Sequence, residues 1–346
     1  MSKPYVMGID IGGTNTVFGI VDARGHIVAS DSIKTTKHAD FEEYIKDLHE
    51  SAEHLLRAND AEDKLQGIGI GAPNGNYYTG EIVNAPNLPW GPKVALAEAV
   101  SRAFKGVPVA ITNDANAAAL GEMTYGAARG MKDFIMITLG TGVGSGIVVN
   151  GQLVYGHDAF AGELGHVIMK RNNGRACGCG RTGCLEAYCS ATGVARTARE
   201  YLEIRTEPSL LRNIDIDNIT SKDVYDAAVK GDALAKEIFD YTGNILGQAL
   251  ADFVAFSSPQ AIILFGGLAK SGDLLMRPLK ESFEKNLLPT YRVNMPQILV
   301  SELKSGDAAV LGASALGWEA KYHYEAPAVV VHKDEETEKP SETKAN

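Results

Sequence analysis

The sequence predicts an α/β protein made of two similar halves that face a cleft. Two segments share one pattern, in which an apolar strand, a glycine-rich turn and a second apolar strand follow one another. The first segment covers residues 7–21, and the second covers residues 135–149, roughly 130 residues further along. Stretches with a helical spacing of apolar residues lie between them. A strand–turn–strand unit that recurs among helices indicates a duplicated α/β architecture.

Composition limits the class of protein. The chain has 346 residues, enough for two domains of ~150 residues each, and its 45% hydrophobic residues can form sizeable cores. The formal net charge of −10 argues against binding to nucleic acid, because nucleic-acid-binding proteins usually present a basic face. No apolar run approaches the ~20 residues that span a bilayer, and no signal-peptide pattern is present. The four cysteines lie close together, which predicts a cytoplasmic protein without disulfides between distant segments.

The remaining predicted elements alternate along the chain. Helices are predicted for residues 41–58, for residues 92–104, from Ala115 through Glu122, and from about Asp307. Strands are predicted for residues 67–71, 108–112 and 261–265, and Asn150–Gly151 is a hairpin turn signal after the second duplicated segment.

The turn of the first segment is suited to binding phosphate. Gly12 and Gly13 allow backbone N–H groups to converge on an anion without a Cβ in the way, and Thr14 adds a hydroxyl. Asp10 would bind Mg²⁺ or its water shell. The Gly-Lys-[Ser/Thr] ending of a P-loop is missing, and a strand follows where a Rossmann motif needs a helix. A single loop of this kind is more often an ordinary hairpin.

Two further glycine-rich segments strengthen the nucleotide interpretation. The turn of the second segment, residues 139–146, contains four glycines together with Thr141 and Ser145, and Thr141 and Gly142 are its candidate phosphate-binding residues. Gly266 and Gly267 follow a predicted strand and would let the adenosine side of a nucleotide approach the backbone. Three such loops in one chain favour a nucleotide site over three unrelated hairpins.

Asp114 is the candidate general base. Phosphoryl transfer to an alcohol requires positioning, charge neutralisation and a group that accepts the hydroxyl proton. Asp114 lies at the end of a predicted buried strand, where it would face the cleft. A helix N-cap explains an aspartate at this position equally well.

Amide and carboxylate side chains that could bind a sugar occur in four short segments, 84–88, 113–114, 162–166 and 184–186. Glu163 and His166 are three residues apart, so they could share one face of a helical turn. For each carboxylate taken singly, an ordinary surface residue is the competing interpretation.

The most specific local feature is a cysteine cluster. Cys177, Cys179 and Cys184 lie within eight residues that also contain three glycines, and His166 lies eleven residues before the first of them. A Cys₃His set suits tetrahedral Zn²⁺ in a structural site with no open position. Cys189 offers a competing Cys₄ set, and reduced cysteines without a ligand are a further alternative.

With these motifs in order, residues 6–318 resemble the ROK family of sugar kinases and repressors, most closely its bacterial glucokinases. The resemblance rests on residues 10–14, on residues 139–166 and on the cysteine loop, residues 177–186. It implies a two-lobed, actin-like (ribonuclease-H-like) ATPase fold. It also implies ATP with Mg²⁺ as the phosphoryl donor, a structural Zn²⁺, and a homo-oligomer, either a dimer or a tetramer.

The resemblance also implies site residues and lobes. Asp114 is implied as the base, and the sugar site is implied to consist of Asn87, Asn113, Asp114, Glu163, His166 and Glu186. Zinc is implied on His166, Cys177, Cys179 and Cys184, which leaves Cys189 free. We expect a small lobe over residues 1–115 joined by the C-terminal helix 307–325, a large lobe over 116–306 with the zinc loop, and a disordered tail over 326–346.

The expected reaction is ATP-dependent phosphorylation of a hexose, with glucose to glucose 6-phosphate as the first choice. N-acetylmannosamine or another N-acetylhexosamine is the second choice, and fructose is the third. Repressors of the family place a helix-turn-helix domain ahead of the first phosphate loop, and that loop begins here at Asp10, so a sugar-responsive repressor is not expected.

Overall fold

The computed structural model describes residues 4–85, 87–303 and 307–320. Its strands are β1 (Tyr5–Ile11), β2 (Asn15–Asp22), β3 (Ile27–Lys34), β4 (Leu65–Gly71), β5 (Ile82–Val83), β6 (Lys93–Val94), β7 (Val109–Thr112), β8 (Phe134–Leu139), β9 (Val143–Val149), β10 (Gln152–Leu153), β11 (Ala261–Phe265) and β12 (Gln297–Val300). Its helices are α1 (Phe41–Ala58), α2 (Leu96–Ala103), α3 (Asp114–Tyr125), α4 (Glu186–Cys189), α5 (Ala191–Ile204), α6 (Ser221–Val229), α7 (Ala233–Ser257), α8 (Asp273–Asn286) and α9 (Ala308–Glu319).

Two five-stranded sheets repeat one topology. The first has the order β3-β2-β1-β4-β7 and the second has the order β10-β9-β8-β11-β12. In each sheet three antiparallel strands are followed by two strands parallel to the central one. The duplication predicted from the two glycine hairpins is therefore confirmed. The hairpins are β1–β2 and β8–β9, and their turns lie at residues 12–14 and 140–142.

Each sheet has its own hydrophobic core. In the first half, β1 and β4 pack with α1 and α2. The spacing of apolar residues predicts that α1 buries Tyr44, Ile45, Leu48, Ala52, Leu55 and Leu56, and all of them are buried except Leu55, which is partly buried. In the second half, β8 and β11 pack beneath α5 to α8. Separate cores let the halves form two lobes.

Helices α3 and α9 lie between the two sheets. Alanines of α3 pack against Phe134, Met136 and Val148 of the second sheet. Helix α9 lies directly on β1 and β4, because a Cβ on Gly69 would come within 1.9 Å of the Ala313 carbonyl oxygen. The two helices contact each other at Gly121 and Gly312, where a Cβ on Gly121 would lie 2.8 Å from the Gly312 Cα. Small residues thus allow both helices to fit between the lobes.

The element predictions differ from the structure at several boundaries. Helix α2 begins at Leu96 rather than 92, because Lys93–Val94 pairs with β5 instead. Helix α3 begins at Asp114, one residue before the predicted start. Helix α9 ends at Glu319. The predicted extension to 325 and the predicted disordered tail, 326–346, lie outside the described residues, and the lobe boundaries at 115 and 306 stay predictions. In the described part of the chain, no helix combines the length and hydropathy needed to cross a bilayer.

Candidate active site and metal cluster

The carboxyl ends of β1, β4 and β7 place two aspartates face to face. The strands are parallel and in register, so Asp10, Gly71 and Thr112 lie side by side. A Cβ on Gly71 would lie 3.8 Å from Asp10 Oδ1 and 3.9 Å from the Asp114 Cα. The missing side chain at Gly71 therefore leaves the space that Asp10 and Asp114 share.

Both aspartates have raised pKa values. Burial, followed by the nearby charge of Asp114, raises the pKa of Asp10 to about 6. Desolvation by the surrounding protein also raises the pKa of Asp114, although its side chain is accessible from the cleft and accepts a hydrogen bond from the Ala115 N–H at 2.8 Å. A carboxylate with a raised pKa accepts a proton more readily than an ordinary one at neutral pH.

The helix cap of α3 is Asn113, not Asp114. The side-chain oxygen of Asn113 accepts a hydrogen bond from the Asn116 N–H at 2.7 Å, and Asp114 is the first helical residue. The capping interpretation of Asp114 is therefore wrong, and its carboxylate is available for chemistry. The same bond occupies an oxygen of Asn113, which leaves its amide NH₂ to face a ligand.

The first glycine turn lies against Asn87. The Gly12 N–H donates to the Asn15 carbonyl at 2.9 Å, which closes the turn between β1 and β2. A Cβ on Gly13 would lie 3.0 Å from the Asn87 carbonyl oxygen, so the turn and the exposed Asn87 are neighbours. Thr14 is also exposed. The candidate phosphate loop and one candidate sugar ligand thus border the same cleft.

The second glycine turn is held by the start of α5. The Ala191 N–H donates to the Gly140 carbonyl and the Thr192 hydroxyl donates to the Thr141 carbonyl, both at 2.8 Å. Gly266 lies beside this turn, because its Cβ would come within 2.5 Å of the Leu139 carbonyl oxygen, and its φ of +108° suits glycine. The structure therefore brings the second phosphate loop and Gly266–Gly267 together.

His166 ends a single 3₁₀ turn, Leu164–His166, and Glu163 is the residue directly before this turn. The His166 Nε2 atom lies 4.0 Å from a Glu163 carboxylate oxygen. Desolvation raises the pKa of Glu163, the charge of His166 opposes this, and the charges of Asp114 and Glu186 add to it. Asp114, His166 and Glu186 therefore lie close enough to Glu163 for their charges to affect its pKa.

Glu186 joins the cysteine loop to the second glycine turn. One carboxylate oxygen accepts a hydrogen bond from the Val143 N–H at 2.9 Å, and the other accepts one from the Cys177 thiol at 3.5 Å. A Cβ on Gly142 would lie 2.4 Å from the same carboxylate, so a side chain at this position would displace Glu186. Sequence reasoning missed this link, because Val143 and Glu186 are 43 residues apart.

The ligand atoms of His166, Cys177, Cys179 and Cys184 all lie within 4.8 Å of one another. The Cys179 and Cys184 sulfurs are 3.7 Å apart, as are the Cys177 sulfur and the His166 Nδ1 atom. Tetrahedral Zn²⁺ with sulfur ligands at ~2.3 Å requires ligand separations of about 3.8 Å, so the donor set fits this ion. The His166 ring presents Nδ1 to the thiols and Nε2 to Glu163.

Cys189 does not join the cluster. It is fully buried in the core of the second half, where its thiol donates to the Thr242 carbonyl at 3.6 Å. The competing Cys₄ set is therefore wrong.

Arg175 anchors the cysteine loop to α5. Its guanidinium is ion-paired with Glu200 and donates to the Ala187 carbonyl and the Thr197 hydroxyl at 3.1 and 2.9 Å. Its backbone N–H donates to the Tyr188 hydroxyl at 2.8 Å. No local pattern marks this arginine, because its partners lie on α4 and α5, 12 to 25 residues further along the chain.

Solved structures identify the class of protein. The crystal structure of a ROK family glucokinase from Streptomyces griseus in complex with glucose and AMPPNP superimposes with a TM-score of 0.75 at 32% identity, covering 91% of this chain and 99% of that one. The fold predicted from the sequence, a two-lobed actin-like α/β fold of sugar kinases, is confirmed.

Sequence comparison identifies the family. The ROK family model matches residues 6–320, and the glucokinase of Halalkalibacterium halodurans is 37% identical over 324 residues, covering 93% of this chain and 96% of that protein. The chain therefore belongs to the ROK family. The predicted class of enzyme, an ATP-dependent sugar kinase, is confirmed.

The family also contains repressors. The xylose repressor of Caldicellulosiruptor bescii is 28% identical over 313 residues, and the match covers 90% of this chain and 77% of that protein. The same core is thus present in proteins of both kinds.

Proposed function

We propose that this protein transfers the γ-phosphoryl group of ATP to the 6-hydroxyl of glucose, with Asp114 as the general base. The observation that supports this most directly is the setting of Asp114. It lies opposite Asp10 at the strand ends, its pKa is raised, and Glu163, His166 and Glu186 lie within electrostatic reach of the same cleft. The relatives named glucokinase support the choice of glucose.

The proposed reaction needs three contributions from the chain. The two glycine turns bind the phosphates through backbone N–H groups, and Gly266–Gly267 accommodates the adenosine side. Asp10 would hold Mg²⁺ or its water shell, and the ion would supply neutralisation of phosphate charge when bound. Asp114 accepts the hydroxyl proton while the sugar oxygen bonds to the γ-phosphorus and the bond to the bridging oxygen of ADP breaks.

The sugar is bound by amide and carboxylate side chains on both sides of the cleft. The proposed ligands are Asn87, Asn113, Asp114, Glu163, His166 and Glu186. When bound, Zn²⁺ on His166, Cys177, Cys179 and Cys184 braces the turn that presents Glu163, and four protein ligands leave it no open position for chemistry.

A coupled assay of ADP release over a panel of hexoses and N-acetylhexosamines tests the proposal. We expect the highest kcat/KM with glucose and the formation of glucose 6-phosphate. A higher kcat/KM with N-acetylmannosamine or fructose would reassign the substrate, and the absence of sugar-dependent ADP release would refute the kinase proposal.

A further inference from the structure

The turn that presents Glu163 rests on strand β9. Gly165 packs against this strand so closely that a Cβ on it would lie 1.9 Å from the Val143 carbonyl oxygen. Gly162 adopts a φ of +93°. Glycine reaches this conformation without strain, but its flexible backbone also adopts others, so other contacts must hold it there. The position of Glu163 therefore depends on what fixes the turn to β9.

One side chain of β9 bonds to the peptide groups on both sides of Glu163. The Ser145 hydroxyl donates to the Gly162 carbonyl and accepts from the Leu164 N–H, the latter at 3.1 Å. Ser145 is 2% exposed, so water does not readily replace these bonds. Its own backbone is fixed by pairing with Ile137 in the β8–β9 ladder. The hydroxyl thus connects a rigid hairpin to the turn that carries the carboxylate.

The Glu163 side chain itself is only loosely fixed. It is 55% exposed, and its ion pair with His166 spans 4.0 Å, too long for a hydrogen bond. A carboxylate that recognises a hydroxyl must lie within ~3 Å of it, so a displaced turn would weaken sugar binding. Within the described residues, the hydrogen bonds of the Ser145 hydroxyl go to Gly162 and Leu164.

We propose that Ser145 is a positioning residue that sets Glu163 for sugar binding by bonding the peptide groups on either side of it. This inference rests on the proposed function of Glu163 as a sugar ligand. It assigns a role to a residue of the second glycine hairpin whose hydroxyl bonds to the turn of Glu163. The hairpin then serves both substrates, the nucleotide through its turn and the sugar through Ser145.

The first test compares Ser145→Ala with Ser282→Ala in the full chain. Ser282 is a matched control, because it is 5% exposed and its hydroxyl donates to the Asn244 carbonyl at 2.7 Å, between helices α7 and α8. We expect S145A to raise the KM for glucose roughly tenfold, because both hydrogen bonds that fix the turn of Glu163 are lost, while the KM for ATP changes less than about twofold. S282A should leave both constants unchanged. Equal effects of S145A on both substrates would overturn the proposal.

A double-mutant cycle with Glu163→Gln tests whether Ser145 acts through Glu163. We expect S145A to add little to the glucose KM in the E163Q background, because the weakened carboxylate contact no longer depends on its position. Fully additive effects would overturn the proposal, since a merely structural serine acts independently of Glu163.

Amide hydrogen exchange gives a readout that needs no activity. We expect exchange at Leu164 to accelerate about tenfold or more in S145A and to remain at the wild-type rate in S282A. Unchanged exchange at Leu164 would overturn the proposal for Ser145, whatever the activity of the wild-type enzyme. If the wild-type enzyme phosphorylates no sugar, the proposed function is refuted, and the exchange measurement still decides whether Ser145 fixes the turn.

Discussion

At the residue scale, two aspartates from different elements share one space. Asp10 is the next-to-last residue of β1 and Asp114 is the first residue of α3, and Gly71 between them offers no side chain to separate their carboxylates. Two negative charges in a partly buried site oppose each other's ionisation. We propose that Asp10 holds a cation and that Asp114 accepts a proton, and one substitution at each residue examines these proposals.

Asp114→Asn should retain sugar binding and lose most turnover. The amide preserves the size of the side chain but cannot accept a proton, and general base catalysis contributes ~10²–10⁴-fold. We expect kcat to fall by at least about 10² and the dissociation constant for glucose, measured by calorimetry, to change only a few fold. Asp40→Asn, at the exposed cap of α1, is the control. Turnover of D114N near the wild-type rate would show that Asp114 is not the base.

Asp10→Asn should change how stability depends on pH. The pKa of Asp10 is about 6 in the folded protein, and an unfolded aspartate titrates near ~4, so the folded state binds more protons between these values. The stabilisation from the protonated form is complete below pH ~4 and is lost as the pH rises through about 6.

The comparison is made without Mg²⁺, by thermal unfolding of both proteins from pH 4 to pH 8. We expect D10N to be more stable than wild type by about 1–2 kcal/mol at pH 8, and the difference to vanish near pH 4. A difference that stays constant with pH would contradict the raised pKa.

At the scale of elements, the cysteine loop lies beside the candidate sugar residues Glu163 and His166. The loop contributes three thiols, and His166 of the preceding turn completes the cluster beside Glu163. Arg175 fixes the loop to α5 without any metal. Loss of zinc should therefore disturb the local position of His166 and Glu163 more than the fold of the second half.

Cys184→Ser should lose zinc, whereas Cys189→Ser should keep it. Cys184 lies in the cluster, whereas Cys189 lies in the hydrophobic core. Comparing the two variants therefore separates the loss of a metal ligand from the loss of a buried thiol. We expect C184S to raise the KM for glucose about tenfold or more while its far-ultraviolet circular dichroism stays unchanged. Metal analysis by mass spectrometry checks the occupancy. One zinc per chain in C184S, or none in C189S, would contradict the assigned ligand set.

The packing of α9 on β1 and β4 is the second element-scale feature that can be tested. Gly69→Ala would place a Cβ 1.9 Å from the Ala313 carbonyl oxygen, so helix or strand must shift. Overpacking of this kind typically costs 1–3 kcal/mol, and we expect about 3 kcal/mol from urea unfolding. Gly178→Ala, where no atom lies within 4 Å of the added Cβ, should change stability by less than about 1 kcal/mol. Equal effects of both substitutions would refute the steric explanation.

At the scale of the whole molecule, two lobes meet along α3 and α9 and also touch through a cluster of tyrosines. Tyr77 of the first half stacks on Tyr155 of the second with ring centroids 3.7 Å apart, and the Tyr78 hydroxyl donates to the Gly156 carbonyl at 2.9 Å. The candidate sugar ligands are divided between the lobes, with Asn87 on one and Glu163 on the other. A bound sugar would therefore draw the lobes together.

Saturating glucose should lower the radius of gyration measured by small-angle scattering, because contacts to both lobes favour the closed arrangement and exclude water from the transferred phosphoryl group. Galactose at the same concentration serves as a control for sugar added without tight binding, provided that the assay panel shows no turnover with it. An unchanged radius of gyration with glucose at saturation would count against closure. The predicted dimer or tetramer would be detected in the same experiment from the forward scattering.

Much of this organisation was predictable from local patterns. The two glycine hairpins, the strand that ends before Asp114, and the spacing of Cys177, Cys179 and Cys184 each involve residues a few positions apart, and short-range stereochemistry determines what such patterns form. The same reasoning gave the apolar face of α1, since the helical period alone decides which side chains it buries.

The sequence alone thus determined the duplicated architecture, the candidate base and the candidate ligands of the metal. The tertiary structure decided that Cys189 belongs to the core, that Glu186 bonds to the start of β9, and that Ser145 bonds to the turn of Glu163. Both kinds of statement follow from one physical fact. Local patterns fix the conformation of short segments, whereas hydrogen bonds between residues 17 to 43 positions apart form only once packing has brought those segments together.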